Sequence, residues 1–220
     1  MDYNGAMDLI GFDVVDDSVV GAGGFLAIRR LRLRMIRADG SRTAEGLWDF
    51  VERPMGLDAV VLALWHRRSD GGVDVLLREG LRVPLHFGRP EKPKALHFAE
   101  LVAGIVERGE ESAPGLAARA AAEALEEAGL TVPAPRFSPL GPPAFPTPGM
   151  CAERFHFLAC EVSAAERAAA VTPAGDGSPF EEGARLAWSD LTEALGACAR
   201  GELADLKTEL GLRRLREALR

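Results

Sequence analysis

The stretch "AAEALEEAGL", Ala121 to Leu130, places three carboxylates close together and then ends in a glycine-leucine pair. Glu123, Glu126 and Glu127 stand at positions i, i+3 and i+4, so on a helix they lie within an arc of roughly 100°. Like charges at this spacing repel each other, which leaves two interpretations. The acids form a solvated helix face, or they bind a divalent cation such as Mg²⁺, which prefers oxygen ligands.

The surrounding residues predict a helix set among strands. An Ala-rich run from about Pro114 to Ala128 begins with Pro-Gly and stops at a glycine, the usual asymmetry of a helix. "DAVVLALWH", "VDVLLRE" and "RFHFLACEV" predict buried strands, and a long irregular section is expected from Gly80 to Leu96. Amphipathic stretches near Asp190–Cys198 and Leu203–Leu219 predict two closing helices. Because strands and helices do not alternate regularly, this order favours an α+β fold.

The segment before residue 56 predicts a separate β-hairpin arm. Leu31, Leu33 and Met35 alternate with arginines, so one face of this strand is apolar and the other is basic. The Asp-Gly turn in "ADGSR" lets "LWDFVE" return as a second strand. We therefore expect residues 1–55 to form the arm and residues 56–220 the main domain.

Composition argues against several classes of function. The net charge of −7 over 220 residues disfavours a nucleic-acid-binding surface, and the hydrophobic fraction of 47% is typical of a chain that buries a core. Three cysteines without CxxC spacing favour a reducing compartment. The N-terminus lacks a basic leader, and the longest apolar run, Ala59 to Trp65, is too short to span a membrane. We expect a cytoplasmic protein that binds neither nucleic acid nor membrane.

With the residues upstream of it, the acidic stretch is similar to a known signature. "ELVAGIVERGE" (Glu100 to Glu110) followed by "AEALEEAGL" resembles the Nudix hydrolase signature, G-x5-E-x7-R-E-U-x-E-E-x-G-U, in which U is an aliphatic residue. Ala124 stands at the first aliphatic position of the helix. The other matching positions are Gly104, Glu110, Glu123, Glu126, Glu127, Gly129 and Leu130.

Two departures from the signature concern the residues before Glu123. The spacing between Glu110 and Glu123 is four residues longer than in the family, which places a looser loop at "ESAPG". The signature arginine, which helps to orient the acids in the family, is replaced by Ala122. Arg119 lies one helical turn before Glu123, and the hypothesis is that it supplies the missing cation.

A wider resemblance, to the ADP-ribose pyrophosphatase branch of the Nudix family, covers roughly residues 25 to 200. "VERP", "VLLREGLRVP", "FPTPGMCAERFHFLA" and "FEEGARLAWSDLTEAL" follow one another in the order of that branch. The resemblance implies the α+β Nudix fold, a mixed β-sheet sandwiched between helices with an N-terminal β-hairpin arm. It also implies that the arm pairs with a second subunit in a homodimer.

The same resemblance implies an activity and a metal site. The activity is Mg²⁺-dependent hydrolysis, with Mn²⁺ as the alternative metal, of a nucleoside diphosphate linked to another moiety. ADP-ribose or a nucleotide sugar would yield a nucleoside monophosphate and a sugar phosphate. Glu123 and Glu127 are the implied catalytic metal ligands, Glu126 supports them, and the backbone carbonyl of Ala103 adds an oxygen.

Other roles implied by the resemblance fall on loops. The general base comes from the loop before the last strand, where Glu182 is favoured slightly over Glu181; the alternative is a solvated loop acid. Arg82 matches an arginine suited to holding a phosphate, because its planar guanidinium fits phosphate geometry. Glu153 matches a substrate-side acid, and Phe145 is a further candidate for contact with the substrate.

Two other functions fit the same residues. One is hydrolysis of a different diphosphate, which the arrangement of Arg82, Phe145 and Glu153 would decide. The other is a Nudix-like nucleotide-binding or regulatory domain with little or no turnover, which Ala122 and the lengthened loop favour. Retention of all three glutamates favours catalysis, since folding alone does not require an acidic cluster.

Overall fold

The structure of the chain, a computed structural model, describes residues 9–54, 56–88, 97–172 and 183–220. These residues form two compact units. The first comprises the described part of Met1–Leu57 together with Thr147–Glu153, and the second comprises the described parts of Asp58–Pro146 and Arg154–Arg220. In these ranges no helix is both long and apolar enough to cross a membrane.

The first unit is built on an antiparallel sheet of three strands, in the order β1 (Leu9–Gly21), β2 (Ala27–Arg37) and β3 (Gly46–Glu52). Strands β2 and β3 confirm the predicted hairpin, and β1 adds a third strand to it. The segment Thr147–Glu153 joins this unit through a hydrogen bond from the Val51 N–H to the Met150 carbonyl, at 2.8 Å.

The two faces of this small sheet differ in polarity. Val14 lies opposite Leu33 in the register, and their side chains share one face. The other face carries ion pairs such as Arg30–Asp49, at 2.6 Å. The alternation of apolar and basic residues predicted for β2 is therefore confirmed. Four large side chains on the apolar face are each more than half exposed: Phe12, Val14, Val19 and Trp48.

The second unit combines seven strands with five helices in its described part. The strands are β4 (Ala59–Arg67), β5 (Val73–Leu81), β6 (His97–Glu100), β7 (Val102–Ile105), β8 (Ser138–Pro139), β9 (Phe155–Glu161) and β10 (Arg185–Asp190). The helices are α1 (Val83–Phe87), α2 (Ala113–Ala128), α3 (Ala164–Ala169), α4 (Leu191–Ala199) and α5 (Leu206–Ala218).

Strand β4 lies at the centre of a mixed sheet. The main order is β10-β5-β4-β9-β8, with β6 paired to β5 and β7 paired to β4. The pairing of β4 with β9 is parallel, whereas the other pairings are antiparallel. Such a central strand is buried on both faces, which explains why "AVVLALW" is continuously apolar.

Helices cover both faces of this sheet. On one face Val60, Leu62 and Leu64 pack in a cluster with alanines of α2. On the other face Val61 and Ala63 pack in a cluster with leucines of α4 and α5. Burying a leucine side chain completely stabilises the fold by about 1.5–3 kcal/mol, so the first cluster holds α2 and the second holds α4 and α5 firmly against the sheet. This arrangement confirms the predicted α+β fold with a mixed sheet sandwiched between helices.

Some local predictions were wrong. The expected irregular section from Gly80 to Leu96 is ordered at its start, because β5 continues to Leu81 and helix α1 covers Val83–Phe87. A proline in the first turn suits such a helix, since its missing N–H has no partner there in any case. Residues 89–96 lie outside the described residues. Helix α3, which was not predicted, begins at a capping box formed by Ser163 and Glu166.

Candidate functional site

Helix α2 presents the acidic stretch to the sheet. Its N-cap is Ser112, whose Oγ accepts a hydrogen bond from the Gly115 N–H at 3.3 Å. Its C-cap is Gly129, whose φ of 64° is the left-handed conformation that glycine adopts readily. Ala120 and Ala124 are buried against the core, which fixes the direction in which the glutamates point.

Glu123 is the most deeply placed of the three glutamates. It is only 7% exposed, and its carboxylate lies directly against the backbone of Gly104 in β7. A Cβ added at Gly104 would overlap the carboxyl carbon and both oxygens of Glu123. Only glycine at this signature position leaves the Glu123 carboxylate where it is, because the carboxylate occupies the space of a side chain.

Glu127, also on α2, contacts the same strand one residue before Gly104, at Ala103. Its Oε2 accepts a hydrogen bond from the Ala103 N–H at 3.4 Å, and its Oε1 is 3.6 Å from Nη1 of Arg78. Arg78 is a buried residue of β5. Glu126 is exposed on the same helix. The structure thus brings Glu123 and Glu127 together at β7, beside Ala103.

Arg119 forms ion pairs with three glutamates. Its Nε and Nη2 bind the two carboxylate oxygens of Glu110 at 2.9 and 3.0 Å. Its Nη2 is 3.1 Å from Glu107, and its Nη1 is 3.9 Å from Oε1 of Glu123. The guanidinium holds the pKa of Glu110 below its ordinary value. A cation therefore does lie beside Glu123, as the hypothesis for Arg119 requires.

Arg82 is anchored by a buried carboxylate. Glu100, which is 3% exposed, forms ion pairs with both Arg82 and Lys207. Lys207 also binds Asp205, at 2.8 Å, which ties helix α5 to this cluster. The Arg82 side chain remains 47% exposed, so it still presents donors to solvent.

The remaining predicted site residues belong to different parts of the chain. Phe145 belongs to the second unit and is exposed. Glu153 belongs to the first unit, where its carboxylate forms an ion pair with Arg53. Glu181 and Glu182, the predicted candidates for the general base, lie outside the described residues.

The donors of the acidic face match a hard divalent cation in kind and in place. Carboxylate and carbonyl oxygens are the ligands that Mg²⁺ prefers, and Glu123 and Glu127 meet the same short strand as Ala103. Among the described residues, no three acidic, histidine or cysteine side chains converge closely enough to hold a metal ion. A complete ligand set would therefore need Glu126, a backbone carbonyl or the substrate itself.

Sequence analysis missed three residues of this region. Arg78 interrupts the apolar run "VLLREG", and an arginine inside a buried strand is a signal of pairing. Glu100 and Lys207 are 107 residues apart, so no local pattern indicates their contact. Glu100 is nevertheless the first residue of "ELVAG" and lies beside the predicted signature.

Comparison with solved structures identifies the fold. The crystal structure of an ADP compounds hydrolase matches with a TM-score of 0.65 at 13% identity, covering 97% of each chain. A Nudix hydrolase from Alicyclobacillus acidocaldarius has a TM-score of 0.48 at 15% identity, covering 72% of this chain and 90% of its own. The Nudix hydrolase RenU from M. smegmatis has a TM-score of 0.42 at 17% identity, covering 84% of this chain and 92% of its own.

In sequence comparisons, no protein-family model and no curated protein matches the chain. The fold assignment therefore rests on the architecture and on the likeness to the ADP compounds hydrolase. The acidic stretch lies on the helix that the signature requires, against the strand that carries its glycine. The chain has the Nudix fold that the sequence resemblance predicts.

Proposed function

We propose that this protein is a metal-dependent Nudix pyrophosphatase. Its substrate is a nucleoside diphosphate linked to another moiety, and ADP-ribose or a nucleotide sugar is the leading candidate. The products are a nucleoside monophosphate and a sugar phosphate. The similar fold of an ADP compounds hydrolase supports the choice of a nucleotide-linked substrate. Three free cysteines are in keeping with a protein of the reducing cytoplasm.

One observation carries the proposal: Gly104 makes room for the Glu123 carboxylate. A carboxylate buried this deeply needs a cation beside it, and Arg119 lies 3.9 Å from Glu123. A solvated acidic face, the alternative interpretation, would not place Glu123 at 7% exposure in the space of a missing side chain. The arrangement instead suits carboxylates held in place for a ligand.

In the proposed mechanism the chain's own residues bind the metal and orient the substrate. Glu123 and Glu127 would hold the metal, with Glu126 and the Ala103 carbonyl as further ligands. A bound Mg²⁺ or Mn²⁺ would neutralise phosphate charge and lower the pKa of a coordinated water to near neutrality.

Other residues of the chain would bind the substrate and accept the proton of the attacking water. Arg82, anchored by Glu100, would hold a phosphate with its solvent-facing donors. Glu182, or Glu181 as the second choice, would accept the proton of the attacking water. Phe145 and Glu153 would contact the substrate.

The test is the release of AMP from ADP-ribose with Mg²⁺. We expect AMP from the wild type, and a loss of at least about a hundredfold in kcat for Glu127→Gln, since a ligand charge is removed. Glu193→Gln, which removes an exposed carboxylate on α4, is the charge-matched control and should keep full activity. Absence of AMP with both Mg²⁺ and Mn²⁺ would reject ADP-ribose as the substrate.

A second candidate function is nucleotide binding without turnover. It is favoured by Ala122 and by the fact that, within the described ranges, three metal-ligating side chains do not converge. Calorimetric titration with ADP-ribose distinguishes it from catalysis. Tight binding with no AMP over hours, for ADP-ribose and for a panel of nucleotide sugars, would favour the binding domain.

We further propose that the arm, residues 1–55, forms a homodimer through the apolar face of its sheet. Phe12, Val14, Val19 and Trp48 are exposed on that face, whereas the opposite face carries ion pairs such as those of Arg30 and Arg34. A three-stranded sheet needs an apolar face packed against something to be stable on its own. A second copy brings the same apolar surface, which suits a twofold interface.

A further inference from the structure

Arg119 forms a bidentate ion pair with Glu110, which is the strongest type of contact between an arginine and a carboxylate. Two guanidinium nitrogens bind the two carboxylate oxygens, at 2.9 and 3.0 Å, in a bidentate pair that fixes both groups. The Arg119 side chain is only 15% exposed, so this contact differs from a solvated surface ion pair. The third nitrogen, Nη1, is 3.9 Å from Glu123, one turn further along α2.

The partner of Arg119 is itself held tightly. Oε2 of Glu110 accepts a hydrogen bond from the Glu107 N–H at 3.0 Å, which closes the loop before α2. The backbone of Glu110 also lies so close to Gly115 that a Cβ added at Gly115 would overlap it. Arg119 therefore connects a fixed loop to the helix that carries Glu123.

The position of Arg119 explains both departures from the signature. Ala122 lies three residues further along the helix, a rotation of about 60° and a rise of about 4.5 Å. Residues at this spacing are neighbours on one face, so a long side chain at either position reaches the same space. The spacing between Glu110 and Glu123 is longer by four residues, which is close to one helical turn.

We propose that Arg119 is a positioning residue of the acidic site, displaced by about one helical turn from the signature arginine. It clamps Glu110 and thereby orients Glu123, and this role rests on the proposed hydrolase function. Arg119 touches neither substrate nor metal in this role. Its loss should therefore lower kcat while leaving KM nearly unchanged.

The test compares four variants in ADP-ribose hydrolysis with Mg²⁺. Arg119→Ala should lower kcat by about 10- to 100-fold, the usual effect of losing a residue that orients a ligand, with KM within about threefold. Arg119→Lys, which cannot bind in a bidentate manner, should retain only part of the activity. In the Arg119→Ala background, Ala122→Arg should raise kcat again by at least about tenfold. The control is Arg213→Ala, which removes an exposed arginine paired with Glu209 and should have no effect.

A readout that needs neither metal nor turnover separates this inference from the proposed function. In the metal-free protein, Arg119→Ala should speed amide hydrogen exchange in residues 107–112 by at least about tenfold, and Ala122→Arg should reverse this. Lack of AMP from the wild type would reject the proposed function, while the exchange result would still decide whether the clamp exists. Unchanged exchange, or an activity loss that Ala122→Arg does not relieve in folded protein, would overturn the positioning role.

Discussion

Replacing Gly104 by alanine should move Glu123 without unfolding the protein. The three atoms nearest to the added Cβ all belong to the Glu123 carboxylate, so the glutamate side chain has to leave its place. A side chain forced away from its preferred rotamer costs about 0.5–1.5 kcal/mol. The backbone φ of Gly104 is not in the left-handed region, so alanine adds no backbone strain.

An opposing effect makes the net change in stability small. A glycine-to-alanine substitution at a compatible position stabilises a protein by about 0.4–1 kcal/mol, because the unfolded chain loses freedom. Gly46→Ala measures this gain alone, since Gly46 lies in β3 and a Cβ there meets no atom within 4 Å. We expect Gly104→Ala to change the free energy of unfolding by less than about 1 kcal/mol, and to lower kcat at least about tenfold by displacing a ligand.

A double-mutant cycle with Glu123→Ala isolates the overlap. Without the carboxylate, Gly104→Ala should stabilise the protein as Gly46→Ala does, giving a coupling energy of about 0.5–1.5 kcal/mol. For a chain of this size, that coupling corresponds to a shift of about 1–6 °C in Tm, measurable by thermal unfolding. If Gly104→Ala changes the stability equally in both backgrounds, the contact of the Glu123 carboxylate with the Gly104 backbone is refuted.

Three further predictions concern other parts of the chain. Trp48→Lys should convert a dimer to a monomer in light scattering, and a variant that stays dimeric would refute the proposed apolar interface. Lys207→Met should lower the free energy of unfolding, measured in urea, by about 2–3 kcal/mol. This is somewhat less than the loss of a whole buried pair, because Arg82 still binds Glu100. In a Glu100→Gln background the same substitution should lower the free energy of unfolding far less. The Arg136 guanidinium lowers the pKa of Glu166 from 4.5 to about 2, so this stabilisation is complete above pH 4.5 and is lost as the pH falls towards 2. Glu166→Gln should flatten the fall in urea midpoint between pH 5 and pH 2, and parallel curves for the variant and the wild type would contradict it.

Local signals in the sequence predicted the elements that carry the site. Helix α2 was predictable because its proline start, its glycine end and its apolar spacing all lie within 20 residues. The buried strands were predictable because a strand covered on both faces is continuously apolar. The contact of Glu100 with Lys207 was not predictable, because it forms only when α5 packs on the sheet. The same holds for Arg78, which meets Glu127 only through the pairing of β5 with its neighbours.

The arginines beside the acidic face explain how three glutamates coexist on one helix before any metal binds. Glu123 has Arg119 at 3.9 Å, and Glu127 has Arg78 at 3.6 Å, so each inward-facing carboxylate lies close to a cation. Both guanidinium groups lie within 4 Å of a carboxylate oxygen, so their charges partly offset those of the glutamates. Such contacts reduce the repulsion between the carboxylates on α2.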